Sequence, residues 1–213
     1  MVERQLRGRG IGDERVLEAM AEVPRERFVP ERERRHAYGD SALPIGYEQT
    51  ISQPWIVAAI SQALRLEGDE KVLDVGSGSG YSTCVLARLA RSVIAIERVP
   101  ELARSSRTVL AELGVENVRV VEGDGSVGLP AEAPFEAIAV HATAPAPPPS
   151  LLGQLAAGGR LVAPIASGTA DMLITFVHTG EGTPDPSTGA GLAREVIGPC
   201  RFVPLIGEEG FDA

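Results

Sequence analysis

Three glycines at alternate positions, Gly76, Gly78 and Gly80, follow a short apolar segment that carries Asp74 and precede an apolar helical segment. A glycine adopts positive φ easily and has no Cβ, so the backbone can turn sharply and approach a ligand closely. The unpaired N–H groups at the start of the following helix favour a polar or anionic group at the same place. The pattern therefore predicts a strand, a ligand-binding turn and a helix that hold a nucleotide-like molecule.

The spacing of these glycines narrows the choice of ligand. Dinucleotide-binding loops have the pattern G-x-G-x-x-G, whereas here the third glycine comes one residue early and Tyr81 takes its place. A Walker A loop is excluded because no Gly-Lys-Ser/Thr follows. The pattern Asp-x-Gly-x-Gly-x-Gly instead resembles the S-adenosylmethionine (SAM) loop of class I methyltransferases, which implies SAM as the cofactor. The loop residues expected to contact it are Asp74, Gly76, Ser77, Gly78 and Gly80.

Acidic residues end the next two apolar segments. Glu97 and Asp124 are expected at the carboxyl ends of neighbouring parallel strands, where ligands of such sheets bind. A carboxylate at Glu97 can accept hydrogen bonds from a ribose diol, and the resemblance assigns Asp124 to the adenine amino group. Each acid taken alone is better explained as a cap of the following helix or turn. Arg98 and Gly125, which follow them directly, are expected to contact the cofactor as well.

Size and composition are those of an ordinary globular protein, with 213 residues, of which 44% are apolar and 23% charged. The net charge is −9 and no long Lys/Arg run is present, which disfavours a nucleic-acid partner. No apolar run reaches the roughly 18 residues of a membrane span, and the charged start differs from a signal peptide. We therefore expect a cytoplasmic monomer. Cys84 and Cys200 are too few for a disulfide framework or a four-ligand zinc site.

The order of the predicted elements indicates an α/β fold. A helix is expected at residues 13–22 with Asp13 as its cap, followed by an irregular stretch to residue 52 and a helix from Pro54 to about residue 66. Strands are predicted at 71–75, 92–97, 117–121, 136–140, 160–165, 171–178 and 193–199, and helices at 80–90, 100–113 and 148–156. Such alternation is typical of a parallel sheet covered on both faces. We predict a doubly wound, mostly parallel Rossmann-like methyltransferase sheet with an N-terminal helical segment and an antiparallel C-terminal addition.

The whole chain is interpreted as one domain. Residues 1–66 form its N-terminal, substrate-side segment, residues 67–165 its SAM-binding core and residues 166–213 its C-terminal strands. Residues 180–191, rich in glycine, proline and hydroxyl side chains, are predicted to be an exposed mobile loop. The mixed charges of residues 25–35 are typical of a solvated face.

The chain resembles the protein-L-isoaspartate O-methyltransferase family over almost its whole length. The likeness runs from RGRGI (residues 7–11) and VPRE (residues 23–26) to FVPL (residues 202–205). Its most specific parts are ALPIG (residues 42–46) and QTISQP (residues 49–54). In the family this last segment lies over the cofactor and contains the active-site serine, which makes Ser52 the expected catalytic residue. The residues beside it that are expected to contact the cofactor are Gln49, Thr50 and Ile51.

The resemblance implies SAM-dependent methylation of the free α-carboxylate of L-isoaspartyl residues in damaged proteins or peptides, a repair reaction. Such a carboxylate has a pKa near ~3.5, so it is a nucleophile at neutral pH without a general base. A serine that orients it by a hydrogen bond is then sufficient, although from spacing alone Ser52 is better explained as a cap ahead of Pro54. Two alternatives remain open: methylation of a dedicated ribosomal peptide at isoaspartate or aspartate, and a non-catalytic SAM-binding module.

Two departures from the family pattern bear on the substrate. Glu48 stands where the family usually has glycine or another small or neutral residue, and a carboxylate beside the substrate entrance would repel an anionic peptide. His141 follows the fourth strand of the core, where a small or hydroxyl residue is common. The ends of parallel strands point at the ligand crevice, so His141 could reach a substrate, but a structural role is its simpler interpretation.

Overall fold

A computed structural model describes residues 1–168, 170–180, 182 and 184–212. In this part of the chain, β1 (Leu43–Gly46) and β2 (Gln49–Ile51) form a separate antiparallel hairpin. The main sheet has seven strands: β3 (Lys71–Val75), β4 (Ser92–Glu97), β5 (Val118–Glu122), β6 (Phe135–Val140), β7 (Leu155–Ile165), β8 (Asp171–His178) and β9 (Leu192–Cys200). Their spatial order is β5-β4-β3-β6-β7-β8-β9.

The pairing of these strands confirms the predicted fold class. Strands β5, β4, β3, β6 and β7 are parallel, and β8 and β9 are antiparallel additions at one edge. The chain runs outward from β3 to β5 and then returns to the other side of β3 as β6. The order therefore reverses between β3 and β6, and ligands of open parallel sheets bind beyond the carboxyl ends of the strands at such a point.

Helices cover both faces of the sheet, but unequally. They are α1 (Glu14–Glu22), α2 (Pro54–Leu64), α3 (Tyr81–Leu89), α4 (Pro100–Glu112) and α5 (Pro149–Gly153). Side chains alternate along β3, so that Val72 packs against the face covered by α1 to α4, whereas Leu73 and Val75 pack on the face that carries α5. None of the helices in the described residues is long and apolar enough to cross a membrane.

The helix and strand boundaries show where local sequence signals predict the ends of elements correctly and where they do not. Asp13 caps α1 as predicted, its carboxylate accepting hydrogen bonds from the N–H groups of Arg15 and Val16. The predicted helix at residues 148–156 is wrong at its end, because α5 stops at Gly153 and β7 begins at Leu155. Leu155 pairs with Phe135 of β6, a partner distant in the chain that the local pattern does not reveal.

The loop predicted at residues 180–191 includes residues 181 and 183, which lie outside the described residues. In its described part the carboxylate of Asp185 accepts hydrogen bonds from the N–H and hydroxyl of Ser187 and from the hydroxyl of Thr188. These hydrogen bonds, led by that of the Ser187 hydroxyl, lower the pKa of Asp185 to about 2. The carboxylate thus organises a local turn, and the mobility of the loop stays a prediction.

Candidate functional site

The glycine loop between β3 and α3 has the backbone geometry that its sequence predicts. Gly76, Gly78 and Gly80 have φ angles of 74°, 56° and 91°, values that residues with a Cβ rarely adopt. A Cβ on Gly78 would lie 3.2 Å from Ile45 of the β1–β2 hairpin, and one on Gly80 would lie 3.0 Å from Ser106 of α4. The positive φ angles require glycine at all three positions, and close packing leaves little room for a side chain at Gly78 and Gly80.

Glu97, at the end of β4, holds this loop in place. Its side chain is buried, with Oε2 accepting a hydrogen bond from the N–H of Gly78 at 2.8 Å and Oε1 accepting one from the N–H of Val99 at 2.9 Å. Hydrogen bonds to a carboxylate are about twice as strong as neutral ones. The predicted ribose-binding acid thus also fixes the turn on which a ligand would rest.

Three adjoining cavities lie beyond the carboxyl ends of β3, β4 and β6. The loop cavity is lined by Ser52, Gly76, Ser77 and Ser82 among others. The strand-end cavity is lined by Gln49, Gly78, Glu97, Arg98 and Gly125 among others. The large cleft, of about 490 Å³, is lined by Arg9, Ser52, Trp55, Arg201 and Phe202 among others. Ten of the thirteen predicted site residues contribute to these walls: Gln49, Thr50, Ile51, Ser52, Gly76, Ser77, Gly78, Glu97, Arg98 and Gly125.

Gly125 shows how closely the strand-end cavity is packed. A Cβ at this position would lie 2.6 Å from Cγ1 of Val75 and 3.3 Å from Cγ2 of Ile96. Any larger residue would have to displace the ends of β3 and β4, since core side chains have little room to move. A glycine is thus required beside Glu97 to keep the walls of the cavity in place.

Asp74 lies behind the glycine loop, outside the walls of the three cavities. It is completely buried, and its Oδ2 accepts hydrogen bonds from the hydroxyls of Thr83 at 2.5 Å and Ser82 at 3.3 Å. Its Oδ1 lies 3.1 Å from Nε2 of His141, although the two atoms are not aligned for a hydrogen bond. The structure therefore places Asp74 as a support under the loop and beside His141.

Asp124 also lies outside the cavity walls. Its Oδ1 accepts hydrogen bonds from the N–H and hydroxyl of Ser126, and its Oδ2 accepts one from the N–H of Glu208 at 2.8 Å. Burial acts to raise the pKa of Asp124, but these hydrogen bonds outweigh it and the pKa lies below its ordinary value. Asp124 caps the turn Gly125–Val127, the alternative its sequence left open, and contact with adenine stays a prediction.

Ser52 follows the hairpin and precedes α2. The N-cap of α2 is Gln53, and no side chain caps this helix, so capping does not account for Ser52. Its side chain borders both the loop cavity and the large cleft. A hydroxyl at this position can donate a hydrogen bond to a group that enters from either side.

Arg25 holds the backbone at Ser52 and was missed by the sequence interpretation. Predicting a solvated face for residues 25–35 was wrong here, because Arg25 is completely buried. It donates hydrogen bonds to the carbonyl oxygens of Ala37 and Ser52, both at 2.7 Å, and its guanidinium lies 4.7 Å from the ring centroid of Tyr81. No carboxylate among the described residues forms an ion pair with it, which is costly for a buried cation. The only sequence signal was that Arg25 belongs to the segment VPRE (residues 23–26) that fits the family resemblance.

Glu48 and its neighbour Tyr47 form the turn of the hairpin. Both have positive φ, at 59° and 53°, as a two-residue hairpin turn requires. Both side chains are exposed at the tip, outside the walls of the three cavities. Glu48 therefore does not line these cavities, and its effect on an anionic peptide stays a prediction.

The residues around the loop cavity suit a polar ligand. Ser77 Oγ and His141 Nε2, which belong to two residues of its wall, are buried polar atoms without a hydrogen-bond partner among the described residues, and such atoms are costly unless something binds them. Three features together define a SAM-dependent methyltransferase. They are the parallel sheet, a glycine loop whose spacing differs from that of dinucleotide-binding loops, and the acid at the end of β4.

Comparisons with known proteins define the family. The family model for protein-L-isoaspartate(D-aspartate) O-methyltransferase matches residues 1–210, and the chain belongs to this family. It is 50% identical to protein-L-isoaspartate O-methyltransferase 1 of Rhodopseudomonas palustris, covering 99% of this chain and 83% of the relative. It is also 50% identical to protein-L-isoaspartate O-methyltransferase 2 of Marinobacter nauticus, covering 99% and 93%.

Solved structures agree in fold. A protein-L-isoaspartate O-methyltransferase superposes with a TM-score of 0.82 at 26% identity, covering 98% of this chain and 67% of that chain. A beta-aspartate methyltransferase structure from Plasmodium falciparum, in complex with S-adenosyl-L-homocysteine, has a TM-score of 0.79 at 26% identity and 96% coverage of both chains. The expectation that this protein uses SAM is confirmed by its membership of this family.

Proposed function

We propose that this protein transfers a methyl group from SAM to the free α-carboxylate of isoaspartyl residues in damaged proteins and peptides. The observation that carries this proposal is the position of Ser52, whose side chain borders the glycine-loop cavity on one side and a cleft of about 490 Å³ on the other. A cofactor on the loop and a peptide in the cleft would meet beside this hydroxyl. Family membership over residues 1–210 supports the same activity.

The cofactor is proposed to occupy the loop cavity and the strand-end cavity together. Residues of the glycine loop would hold its amino-acid end, with the unpartnered Ser77 Oγ available to it. Glu97 would accept hydrogen bonds from the ribose, because each carboxylate oxygen can accept more than the one backbone N–H it now has. Gln49 and Thr50 of the hairpin close this space from above. Bound SAM supplies a methyl group on a positively charged sulfur.

The reaction needs positioning more than acid–base chemistry. A substrate carboxylate is ionised at neutral pH, and its oxygen forms a bond to the methyl carbon as the carbon–sulfur bond breaks and its electron pair passes to sulfur. The charges of carboxylate and sulfonium cancel, so no proton moves. The Ser52 hydroxyl would orient the attacking oxygen, and such positioning can supply about 7 to 11 kcal/mol.

Neither cysteine competes as a nucleophile. Burial raises the pKa of Cys84 to about 11, and burial together with the charge of Asp171 raises the pKa of Cys200 to about 12. Both side chains are therefore uncharged thiols at neutral pH, although Cys200 lines the large cleft. Since the thiolate is the reactive form, neither cysteine competes with the substrate carboxylate for the methyl group.

The large cleft has the side chains to hold a peptide that carries a carboxylate. Arg9 and Arg201 lie in its wall, although the whole chain has a net charge of −9. Arg9 is held by Asp40 at 2.9 Å and lies 4.8 Å from the ring centroid of Trp55. Because Asp40 offsets the charge of Arg9, the attraction for a substrate carboxylate is assigned to Arg201. Trp55 and Phe202 offer apolar surface to the side chains of a peptide.

The test is methyl transfer from SAM to pairs of peptides that differ only in an aspartyl or isoaspartyl linkage. We expect transfer to the isoaspartyl member alone. In Ser52→Ala, kcat should fall about 10- to 100-fold because the attacking oxygen is no longer held in line with the methyl carbon, with the Kd for SAM unchanged. Ser41→Ala, an exposed serine upstream of the hairpin, should behave as wild type. Transfer to neither peptide would refute the proposed function.

A further inference from the structure

We propose that His141 binds the substrate carboxylate together with Ser52, an inference that rests on the proposed function and adds a residue to the same site. His141 directly follows β6, and its N–H donates a hydrogen bond to the carbonyl oxygen of Val75 at 2.9 Å. The residue is 9% exposed. This backbone hydrogen bond fixes the residue at the point where the strand order reverses, between the ends of β3 and β6.

The position of His141 relative to the three cavities is the first argument. His141, like Thr50, lines the loop cavity, the strand-end cavity and the large cleft. Ser52 shares two of these walls with it, those of the loop cavity and the large cleft. A carboxylate that enters from the cleft toward the glycine loop would have the serine hydroxyl and the imidazole within the same small space.

The free hydrogen-bonding capacity of the imidazole is the second argument. Asp74 is completely buried, and its Oδ2 is occupied by the hydroxyls of Thr83 and Ser82. Its Oδ1 lies 3.1 Å from Nε2 of His141, but the two atoms are not aligned, so the ring of His141 makes no hydrogen bond to the described residues. An imidazole N–H can donate a hydrogen bond to a carboxylate oxygen, and a substrate carboxylate that enters from the large cleft would accept it.

Two carboxylates reach this region, that of the isoaspartyl residue and that of the methionine part of SAM. The wall that His141 shares with Ser52 in the large cleft favours the peptide. The two sources are separated by measuring the Kd for SAM and the KM for peptide in the same variants. An effect on peptide KM alone assigns the imidazole to the substrate.

The expected kinetic signature is specific to a contact with the substrate carboxylate. This carboxylate loses its negative charge as the ester forms, so a hydrogen bond to it stabilises the bound substrate more than the transition state. Removing the imidazole should raise KM without lowering kcat. A variant whose site has merely become distorted would instead lose kcat, because the reacting atoms would no longer be aligned.

The experiment uses full-length His141→Gln and His141→Thr with isoaspartyl peptide and SAM. We expect KM for peptide to rise about 10- to 100-fold, as for loss of a charge-assisted hydrogen bond, with kcat not lowered and the Kd for SAM within about twofold. His178→Gln is the matched control, since His178 lies at the end of β8 with its ring nitrogens 3.1 Å from the carbonyl oxygens of Ala156 and Gly182. It should leave all three constants at wild-type values.

An unchanged peptide KM in both His141 variants would overturn the proposal. A raised Kd for SAM with unchanged peptide KM would also overturn it, and would assign the imidazole to the SAM carboxylate. Loss of kcat in both variants without a change in KM would show a structural role only. These results differ from failure of the proposed function itself, in which the wild-type protein would not prefer the isoaspartyl peptide.

Discussion

Glu97→Gln tests two roles of Glu97 separately: holding the glycine loop in place and binding the ligand. Each carboxylate oxygen of Glu97 accepts one backbone hydrogen bond, from Gly78 at 2.8 Å and from Val99 at 2.9 Å, inside a side chain that is 5% exposed. The amide keeps one acceptor and turns the other into a donor facing an N–H. One charge-assisted hydrogen bond is lost and the other weakened, which costs about 1.5 to 3 kcal/mol.

Urea unfolding and calorimetric titration with SAM measure the two effects. We expect the free energy of unfolding to fall by about 2 kcal/mol and the Kd for SAM to rise at least about tenfold, because the loop moves and the ribose loses an acceptor. Glu122→Gln is the matched control: Glu122 pairs with Glu97 in register on β5, but its side chain is 44% exposed and pairs with Arg107. It should cost under about 1 kcal/mol and leave the Kd for SAM unchanged. A Glu97 variant that loses stability but binds SAM normally would refute the ligand-binding role.

Two further predictions concern buried polar groups around the site. Arg25→Met removes the donor to the carbonyl of Ser52, and relief of the buried charge offsets part of the stability lost with the hydrogen bonds. Because Ser52 is then held less firmly, kcat should fall about tenfold, while the Kd for SAM stays near wild type. An unchanged kcat would contradict the anchoring role of Arg25. Asp124→Asn should lower stability by about 1 to 3 kcal/mol at pH 7. Because the pKa of Asp124 is depressed in the fold, this difference should begin to shrink as the pH falls below about 4, near the ordinary pKa of an aspartate in the unfolded chain. It should vanish only below the lowered pKa of the folded state, where the wild-type carboxylate is protonated as well; a difference that persists there would contradict the prediction.

The parts of the fold and site that follow from short sequence segments were predictable. The strand, glycine loop and helix around residues 71–89 occupy a continuous segment, and Glu97 ends a strand whose position the apolar pattern marks. The β1–β2 hairpin lies within the stretch predicted to be irregular, since its strands are only four and three residues long and need each other's hydrogen bonds.

Contacts between distant segments account for what could not be predicted. Arg25 looks like one of several surface charges until the folded chain brings the carbonyls of Ala37 and Ser52 to it. Asp124 meets the N–H of Glu208, 84 positions away, which no local pattern reveals. Tertiary packing decides both environments: it buries Arg25 against the local preference of a charged residue for the surface, and it adds a distant partner to the local capping role of Asp124.

The conversion of an isoaspartyl peptide to its aspartyl form tests the central claim most directly. The methyl ester formed by transfer can be displaced by the following backbone amide, with loss of methanol, and hydrolysis of the resulting succinimide returns part of the peptide to the normal linkage. Incubation with the protein and SAM should therefore deplete the isoaspartyl peptide and accumulate its aspartyl counterpart through repeated cycles, as followed by chromatography. Consumption of the aspartyl peptide at the same rate, or persistence of the isoaspartyl peptide unchanged, would contradict the account.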